Sequence, residues 1–153
     1  VMAMNLQMVD DVRETGRFMT LFYLTVSPDR DSVEWVRAGH DPAWIYDPAS
    51  DRFQELKGPG AALGVDRNLA YQSNMKTGFK AGQVIILGTD GIWEGRDTAG
   101  EMYGKERFRE IIRRHAHADA ETILDAVFQD HAAFTRGTQT LDDVTLVILK
   151  RVP

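Results

Sequence analysis

The chain has 153 residues, of which 43% are hydrophobic, so it can form one core, and a single domain over residues 1–153 is expected. It contains no cysteine, which excludes disulfides and thiolate metal sites, so any metal must be held by oxygen or imidazole ligands. The net charge of -5 argues against a nucleic-acid partner, and the absence of a long apolar run or a signal-peptide pattern predicts no membrane span and a cytoplasmic protein.

The first half of the chain predicts one helix followed by strands. The opening VMAMNLQMVDDVRETG has apolar residues at spacings of three and four, which predicts an amphipathic helix that ends near Gly16. The segments RFMTLFYLTVS and VEWVRAG are rich in aromatic and β-branched residues and flank turn-forming residues, so they predict a hairpin. Shorter strands are predicted at AWIY, RFQEL and AYQSNMKT.

The second half begins with the strongest strand prediction, VIILG, whose continuous apolar character is typical of a strand covered on both faces. Two helices are then predicted, over GKERFREIIRRH and DAETILDAVFQDHAAF, the second with Asp119 as its N-cap. The final LDDVTLVILKRV returns to a strand pattern. This order predicts an α+β domain in which helices pack against a largely antiparallel sheet.

Acidic residues flank two of the predicted strands. Asp90 directly follows VIILGT, and Asp142 and Asp143 directly precede VTLVIL. If the strands share a sheet edge, these carboxylates lie close together and repel one another unless a cation neutralises them. Gly91 would let the backbone approach whatever Asp90 binds. The alternative is that TDG is a simple turn and that LDD is the start of a strand with solvated acids.

Six segments, taken in order, resemble those of the PPM-type metal-dependent serine/threonine phosphatases, in the bacterial branch that includes RsbU and SpoIIE. They are GRFMTLFYLTV, VEWVRAGHDPAWIY, GPGAALGV, FKAGQVIILGTDGIWEG, YGKERF and DDVTLVIL. The resemblance covers almost the whole chain. It implies an α-β-β-α sandwich of largely antiparallel sheets flanked by helices, with two Mn²⁺ or Mg²⁺ ions at one end.

The resemblance also implies site residues. Asp90 and Asp142 correspond to metal ligands, and we expect both to be essential for catalysis. Asp143 is the weaker candidate and is expected to shape the turn, while Gly91 is a backbone neighbour of the metals. In this family a metal-bridging hydroxide attacks the phosphorus directly, since two divalent ions lower the pKa of the bridging water and offset phosphoryl charge.

The implied function is a protein serine/threonine phosphatase that acts on a phosphoprotein, typically a STAS-type anti-sigma-factor antagonist in bacterial signalling. The parent protein is expected to carry an upstream sensor or receiver domain. Two alternatives stay open. One is a noncatalytic pseudophosphatase or regulatory binding module, and the other is a structural fragment whose assembly depends on strand exchange. A homodimer is expected if sheet edges are exposed.

One family element is missing from the chain. Family members carry a Gly-Asp element of the form GDVxGHG, whose aspartate bridges both metals, and residues 1–17 do not contain it. Asp10 and Asp11 lack the flanking glycines, so we do not assign them as ligands. We therefore expect a chain that is truncated at its N-terminus and that is weakly active or inactive on its own.

Several other residues attract a structural interpretation. Gly88 stands where this branch usually has a larger residue, and Trp93 stands where a smaller or β-branched residue is commoner. His115, His117 and His131 have spacings unsuited to one shared metal and are expected on solvated helix ends and faces. The basic helix segment RFREIIRR is expected to be solvated as well.

Overall fold

The computed structural model of the protein describes residues 1–29, 31–139 and 142–152. In chain order its helices and strands are α1 (Met2–Val12), β1 (Leu21–Val26), β2 (Ser32–Ala38), β3 (Ala43–Asp47), β4 (Arg52–Leu56), β5 (Asn74–Thr77), β6 (Val84–Gly88), α2 (Lys105–His115), α3 (Ala120–Phe134) and β7 (Leu146–Lys150). This succession and the antiparallel pairing of the strands confirm the predicted α+β class.

The chain divides into two compact units. The first comprises the described parts of residues 1–43 and 55–80, and the second comprises those of residues 44–54 and 81–153. The first unit holds a three-stranded sheet in the order β1-β2-β5. Its β1 and β2 pair antiparallel from Leu21↔Ala38 to Val26↔Val33, which confirms the predicted hairpin.

Helix α1 forms where it was predicted, but its expected apolar face is not buried. Met2 is 60% exposed and Leu6 is 40% exposed, whereas the one buried residue of the helix is Asn5. The Asn5 amide donates to the carbonyl of Asp66 at 2.9 Å and accepts from the backbone N–H of Gly64 at 3.0 Å. A buried polar side chain with both of its ends satisfied therefore fixes the helix within the first unit, a role that apolar periodicity cannot reveal.

The second unit holds a four-stranded sheet in the order β4-β3-β6-β7. Strand β6 pairs antiparallel with β3 on one side and with β7 on the other. All of its residues are buried except Leu87, which is half-buried, so the prediction of a strand covered on both faces is confirmed.

Helices α2 and α3 contribute to the apolar core of the second unit. Phe108 of α2 and Ile123 of α3 are completely buried, together with apolar residues of β3, β6 and β7. Asp119 caps α3 as predicted, since its carboxylate accepts a hydrogen bond from the backbone N–H of Thr122 at 2.8 Å. None of the helices in the described ranges is both long enough and apolar enough to cross a membrane.

The unusual residues Gly88 and Trp93 compensate for each other. A Cβ atom on Gly88 would lie 2.7 Å from Cδ1 of Ile92 and 3.5 Å from the Trp93 ring. Trp93 is buried and packs against the rings of Trp44 and Phe108, each with its centroid 6.1 Å away. Side chains from the turn after β6 thus fill the volume that a larger residue at position 88 would occupy.

The basic face of α2 is more than solvated charge, because its arginines are paired with acids. The pairs are Arg107 with Asp130, Arg109 with Glu106, Arg113 with Asp51 and Glu110, and Arg114 with Glu110. These ion pairs neutralise much of the face.

Candidate functional site

The end of β6 and the start of β7 meet at one edge of the four-stranded sheet. In their antiparallel register Gly88 lies opposite Leu146. Asp90 lies two residues after the end of β6, and Asp142 and Asp143 shortly precede β7. The structure therefore brings the two acidic segments to the same edge, although more than 50 residues separate them in the sequence.

Thr89 joins the two segments through three hydrogen bonds, which involve its backbone N–H and its side-chain hydroxyl. Its N–H donates to the carbonyl of Thr145 at 3.0 Å, and its hydroxyl donates to the carbonyl of Asp143 at 2.9 Å. The same hydroxyl accepts from the Thr145 N–H at 2.9 Å. Sequence reasoning missed this clamp, although a threonine directly before Asp90 and another two residues after Asp143 were a usable signal.

Gly91 is the point of closest approach between the segments. A Cβ atom at this position would lie 2.5 Å from the carbonyl oxygen of Asp143 and 3.4 Å from that of Asp142. No side chain fits there unless the backbone moves. The close approach that was expected at Gly91 is therefore an approach to the backbone of Asp142 and Asp143. Its role as a neighbour of bound metal remains a prediction.

The carboxylates at this edge carry uncompensated charge. Asp90, Asp142 and Asp143 are exposed, and within the described residues none of them forms an ion pair. Oδ1 of Asp90 accepts from the N–H of Gly91 at 3.1 Å, and Oδ1 of Asp142 accepts from the N–H of Asp143 at 2.8 Å. Backbone N–H groups thus orient both side chains.

Carboxylate oxygens are the ligands that hard cations such as Mg²⁺ prefer, so the donors at this edge fit the implied metals in kind. They fall short in number, because the described part of the chain contains no group of three or more His, Cys, Asp or Glu residues placed to hold a metal ion. The ligand roles of Asp90, Asp142 and Asp143 therefore remain predictions.

Asp10 and Asp11, which were not assigned as ligands, make local contacts within the first unit. Asp10 forms an ion pair with Arg67, and Asp11 accepts a hydrogen bond from the side chain of Gln7 at 3.0 Å. Both interactions are exposed ones of the kind that α-helix surfaces commonly make.

The interpretation of His131 as a solvated helix residue is wrong. His131 is only 8% exposed, whereas His117 is exposed as expected and His115 is half-buried. Position 131 follows Val127 and Ile123 at intervals of four on the buried face of α3, a signal that could have identified it.

The His131 ring packs against the segment that follows Asp90. A Cβ atom on Gly95 would lie 2.5 Å from its Nε2, and the ring of Tyr103 meets it edge-on at 5.2 Å. Burial lowers the pKa of His131, and the nearby backbone of Gly91 and Ile92 acts in the opposite direction.

A cavity of about 320 Å³ opens beside the turn that carries Asp90. It lies within the second unit, and its lining combines helix, turn and acidic-edge residues: Gly91, Glu94, Gly95, Arg96, His131, Thr135, Thr138, Gln139 and Asp142. The candidate ligand Asp142 therefore borders a concave surface rather than a flat one, which is the usual setting of a binding site.

Comparison with known proteins places this geometry in context. Phosphoserine phosphatase RsbU of Bacillus subtilis is 25% identical over 145 residues, which are 95% of this chain and 42% of RsbU. The chain therefore spans less than half the length of this relative. The SiaA-PP2C domain of Pseudomonas aeruginosa has a TM-score of 0.81 at 21% identity, over 95% of this chain and 57% of that one.

The phosphatase domain of SpoIIE from Bacillus subtilis, in a Mn-presoaked structure, has a TM-score of 0.65 at 18% identity, over 96% of this chain and 71% of that one. These likenesses show the PP2C-type fold that the resemblance implied. The profile of the family described as Stage II sporulation protein E (SpoIIE) matches residues 1–152. The chain belongs to the SpoIIE family and has the fold of PPM-type (PP2C) phosphatase domains.

Proposed function

We propose that the protein of which this chain is a part hydrolyses phosphoserine or phosphothreonine in a phosphoprotein, with Mn²⁺ or Mg²⁺ as cofactor. The observation that carries the proposal is the acidic edge, where Asp90 and Asp142 are oriented by backbone N–H groups and have no cationic partner among the described residues. In a chain of the SpoIIE family, such carboxylates are suited to a divalent cation.

Two divalent ions, when bound, would supply a water of lowered pKa and offset the charge on the phosphoryl oxygens. The chain's own contribution is to hold Asp90 and Asp142 in fixed positions. Each of them uses Oδ1 to accept a backbone hydrogen bond, which leaves Oδ2 available to a cation. Asp143 is the weaker candidate ligand, and its carbonyl is already bonded to the Thr89 hydroxyl.

We expect residues 1–153 alone to show weak or no turnover. The family's bridging aspartate belongs to a Gly-Asp element that residues 1–17 do not contain, and fewer ligands mean lower metal affinity. A noncatalytic pseudophosphatase or binding module would share the same edge, and the absence of a three-residue acidic or histidine cluster from the described residues keeps that alternative in view.

The finer parts of the proposal rest on the family alone. We propose a STAS-type anti-sigma-factor antagonist as the substrate, an upstream sensor or receiver domain in the same protein, a cytoplasmic location and a possible homodimer. The named activity of the relative RsbU, a phosphoserine phosphatase, supports a serine-phosphorylated substrate.

The test is phosphate release from a phosphoserine peptide and from a serine-phosphorylated STAS domain. The full-length protein and residues 1–153 are assayed in parallel, each with Mn²⁺, with Mg²⁺ and with EDTA. We expect metal-dependent release by the full-length protein and little by residues 1–153. Metal-independent release would refute the proposed chemistry, and no release by the full-length protein would favour the pseudophosphatase. Robust Mn²⁺-dependent turnover by residues 1–153 would show that the site needs no further ligand.

A further inference from the structure

The turn after β6 is tied to the rest of the second unit at both of its ends. At its start, the N–H of Glu94 donates to the carbonyl of Asp90 at 2.9 Å, which closes the turn on itself. At its end, the N–H of Tyr103 donates to the carbonyl of Gly95 at 2.8 Å. Between these ends, Gly95 of the turn lies against His131 of α3 and against Thr135, the C-cap residue of that helix.

The His131 ring is enclosed rather than available to a ligand. Its Nε2 is completely buried and has no hydrogen-bond partner among the described residues. The α-carbon of Gly95 covers it, because a methyl group there would lie 2.5 Å from the nitrogen. The ring edge that carries Nε2 is therefore the edge that faces the turn, and it contacts the turn at Gly95.

An unpaired buried nitrogen has a cost, so a leucine at position 131 would serve α3 packing better than a histidine does. What leucine cannot supply is a flat ring edge on which the backbone at Gly95 can lie. That turn includes Gly91, which is seated on the backbone of Asp142 and Asp143. Any shift of residues 91–95 relative to α3 therefore changes the spacing between the two acidic segments.

We propose that His131 is a positioning residue, whose ring fixes residues 91–95 against α3 and so holds Asp90 at its distance from Asp142. The inference rests on the proposed function insofar as those acids bind metal. It assigns to His131 no contact with substrate or metal, only the support of the turn between them.

The first test compares two substitutions in the full-length protein. His131→Leu removes the flat ring, whereas His131→Gln places a flat amide group near the position of Nε2. We expect the Kd for Mn²⁺, measured by the electron paramagnetic resonance of free Mn²⁺, to rise about tenfold in His131→Leu, as is typical when a residue that orients a metal ligand is lost. His131→Gln should stay within about threefold of the wild type, and His117→Leu, at an exposed position, serves as the control.

The second test is an exchange of volume. Gly95→Ala places a methyl group against Nε2 and should displace the turn, which raises the Kd for Mn²⁺. Combining it with His131→Asn removes the Nε2 side of the ring and should restore part of the affinity, since the methyl group would still lie 3.1 Å from Cγ2 of Thr135. A double variant as weak as Gly95→Ala alone would contradict the proposal, because the two positions would then be uncoupled.

A metal-free readout separates this proposal from the proposed function. In full-length protein labelled with ¹⁵N-glycine, the amide signals of Gly91 and Gly95 should shift in His131→Leu while thermal unfolding shows that the fold is kept. If the wild type binds no Mn²⁺, the proposed function fails, and the glycine signals still decide whether His131 positions the turn. Unchanged glycine signals in folded His131→Leu would overturn the inference.

Discussion

The β6–β7 strand pair has charged side chains at each end. At one end the charge has partners within the chain, and at the other end it has no cationic partner among the described residues. At one end, Lys150 donates to the carbonyl of Ala116 at 2.7 Å and also to that of Ala118, just beyond the last turn of α2. At the other end, Asp90 and Asp142 have no cationic partner among the described residues. The charge at one end of the strand pair is therefore satisfied by partners within the chain, and the charge at the other end is not satisfied by any described residue.

The difference indicates which end is structural and which is reserved for a ligand. A cation near the carboxyl end of a helix lies where the helix dipole favours it, so Lys150 stabilises the chain without any other molecule. Thr89 holds the segments of Asp90 and Asp142 together, and no ion pair of either acid is formed within the described residues. Acids left without a cationic partner are expected at a binding site and bring no structural benefit.

The largest expected effect comes from neutralising Asp90 or Asp142, the acids that have no cationic partner among the described residues. In the full-length protein, Asp90→Asn or Asp142→Asn should lower Mn²⁺-dependent turnover at least about 100-fold, since even residues that only orient ligands cost 10–100-fold when lost. Asn keeps the backbone-accepting oxygen, so thermal unfolding of the metal-free protein should not fall. Wild-type turnover in either variant would show that the acidic edge is not the site.

The next largest effect is expected from a substitution that fills the space between the two acidic segments. Gly91→Ala puts a methyl group 2.5 Å from the Asp143 carbonyl oxygen, and we expect a loss of about 1–3 kcal/mol in the free energy of unfolding, together with lost metal binding. Urea unfolding measures the first quantity. Gly58→Ala is a matched control in the first unit, because its methyl group would meet only the movable amide of Asn74.

At the other end of the strand pair, Lys150→Met should lower the stability of the protein without changing its catalytic turnover. It leaves the carbonyls of Ala116 and Ala118 without their charged donor, and we expect a loss of about 1–2 kcal/mol in the free energy of unfolding. Mn²⁺-dependent turnover under stable conditions should equal that of the wild type. A turnover loss comparable to that of Asp90→Asn would break the distinction between the two ends.

The smallest effect is expected at Asp130, an acid that forms an ion pair and is less exposed than the acids of the β6–β7 edge. Arg107 binds Asp130 through two hydrogen bonds of 2.7 and 2.9 Å and lowers the pKa of that carboxyl below its ordinary 3.8. Since Arg107 is 43% exposed and screened by solvent, Asp130→Asn should cost only about 1 kcal/mol at pH 7.

The pH dependence of this pair has a definite sign. A carboxyl whose folded pKa is lowered stabilises the protein above its unfolded pKa, and the stabilisation is lost as the pH falls through the lower folded value. The wild type and Asp130→Asn should therefore differ in unfolding free energy at pH 7 and converge below pH 3.8. A difference that persists or grows in acid would contradict the assigned ion pair.

The elements that local pattern determines could be predicted from the sequence. The apolar run of β6, the hairpin of β1 and β2 and the capped helix α3 each depend on neighbours in the chain, so periodicity and turn chemistry identify them. The shared edge of Asp90 and Asp142 was a conditional expectation from the sequence, and the antiparallel pairing of β6 with β7 fulfils its condition. The length of β5 was overestimated, because AYQSNMKT pairs only over Asn74–Thr77.

What sequence reasoning could not reach depends on tertiary contacts. The burial of Asn5 instead of Met2 and Leu6 is set by polar partners about 60 residues away, which no helical period reports. The enclosure of His131 depends in the same way on Gly95, a residue of another segment. In both cases a polar side chain occupies a buried position because its partners arrive only when the chain has folded.

The Thr89 clamp has a consequence for how the protein folds. It joins residues 56 positions apart, with both α2 and α3 in the intervening chain, so its closure carries the entropy cost of a long loop. A partly folded state with α2 and α3 formed but β7 unpaired would hold Asp90 and no Asp142 beside it. The capacity to bind a divalent ion is therefore expected to appear with the last long-range pairing of the second unit, and not with its helices.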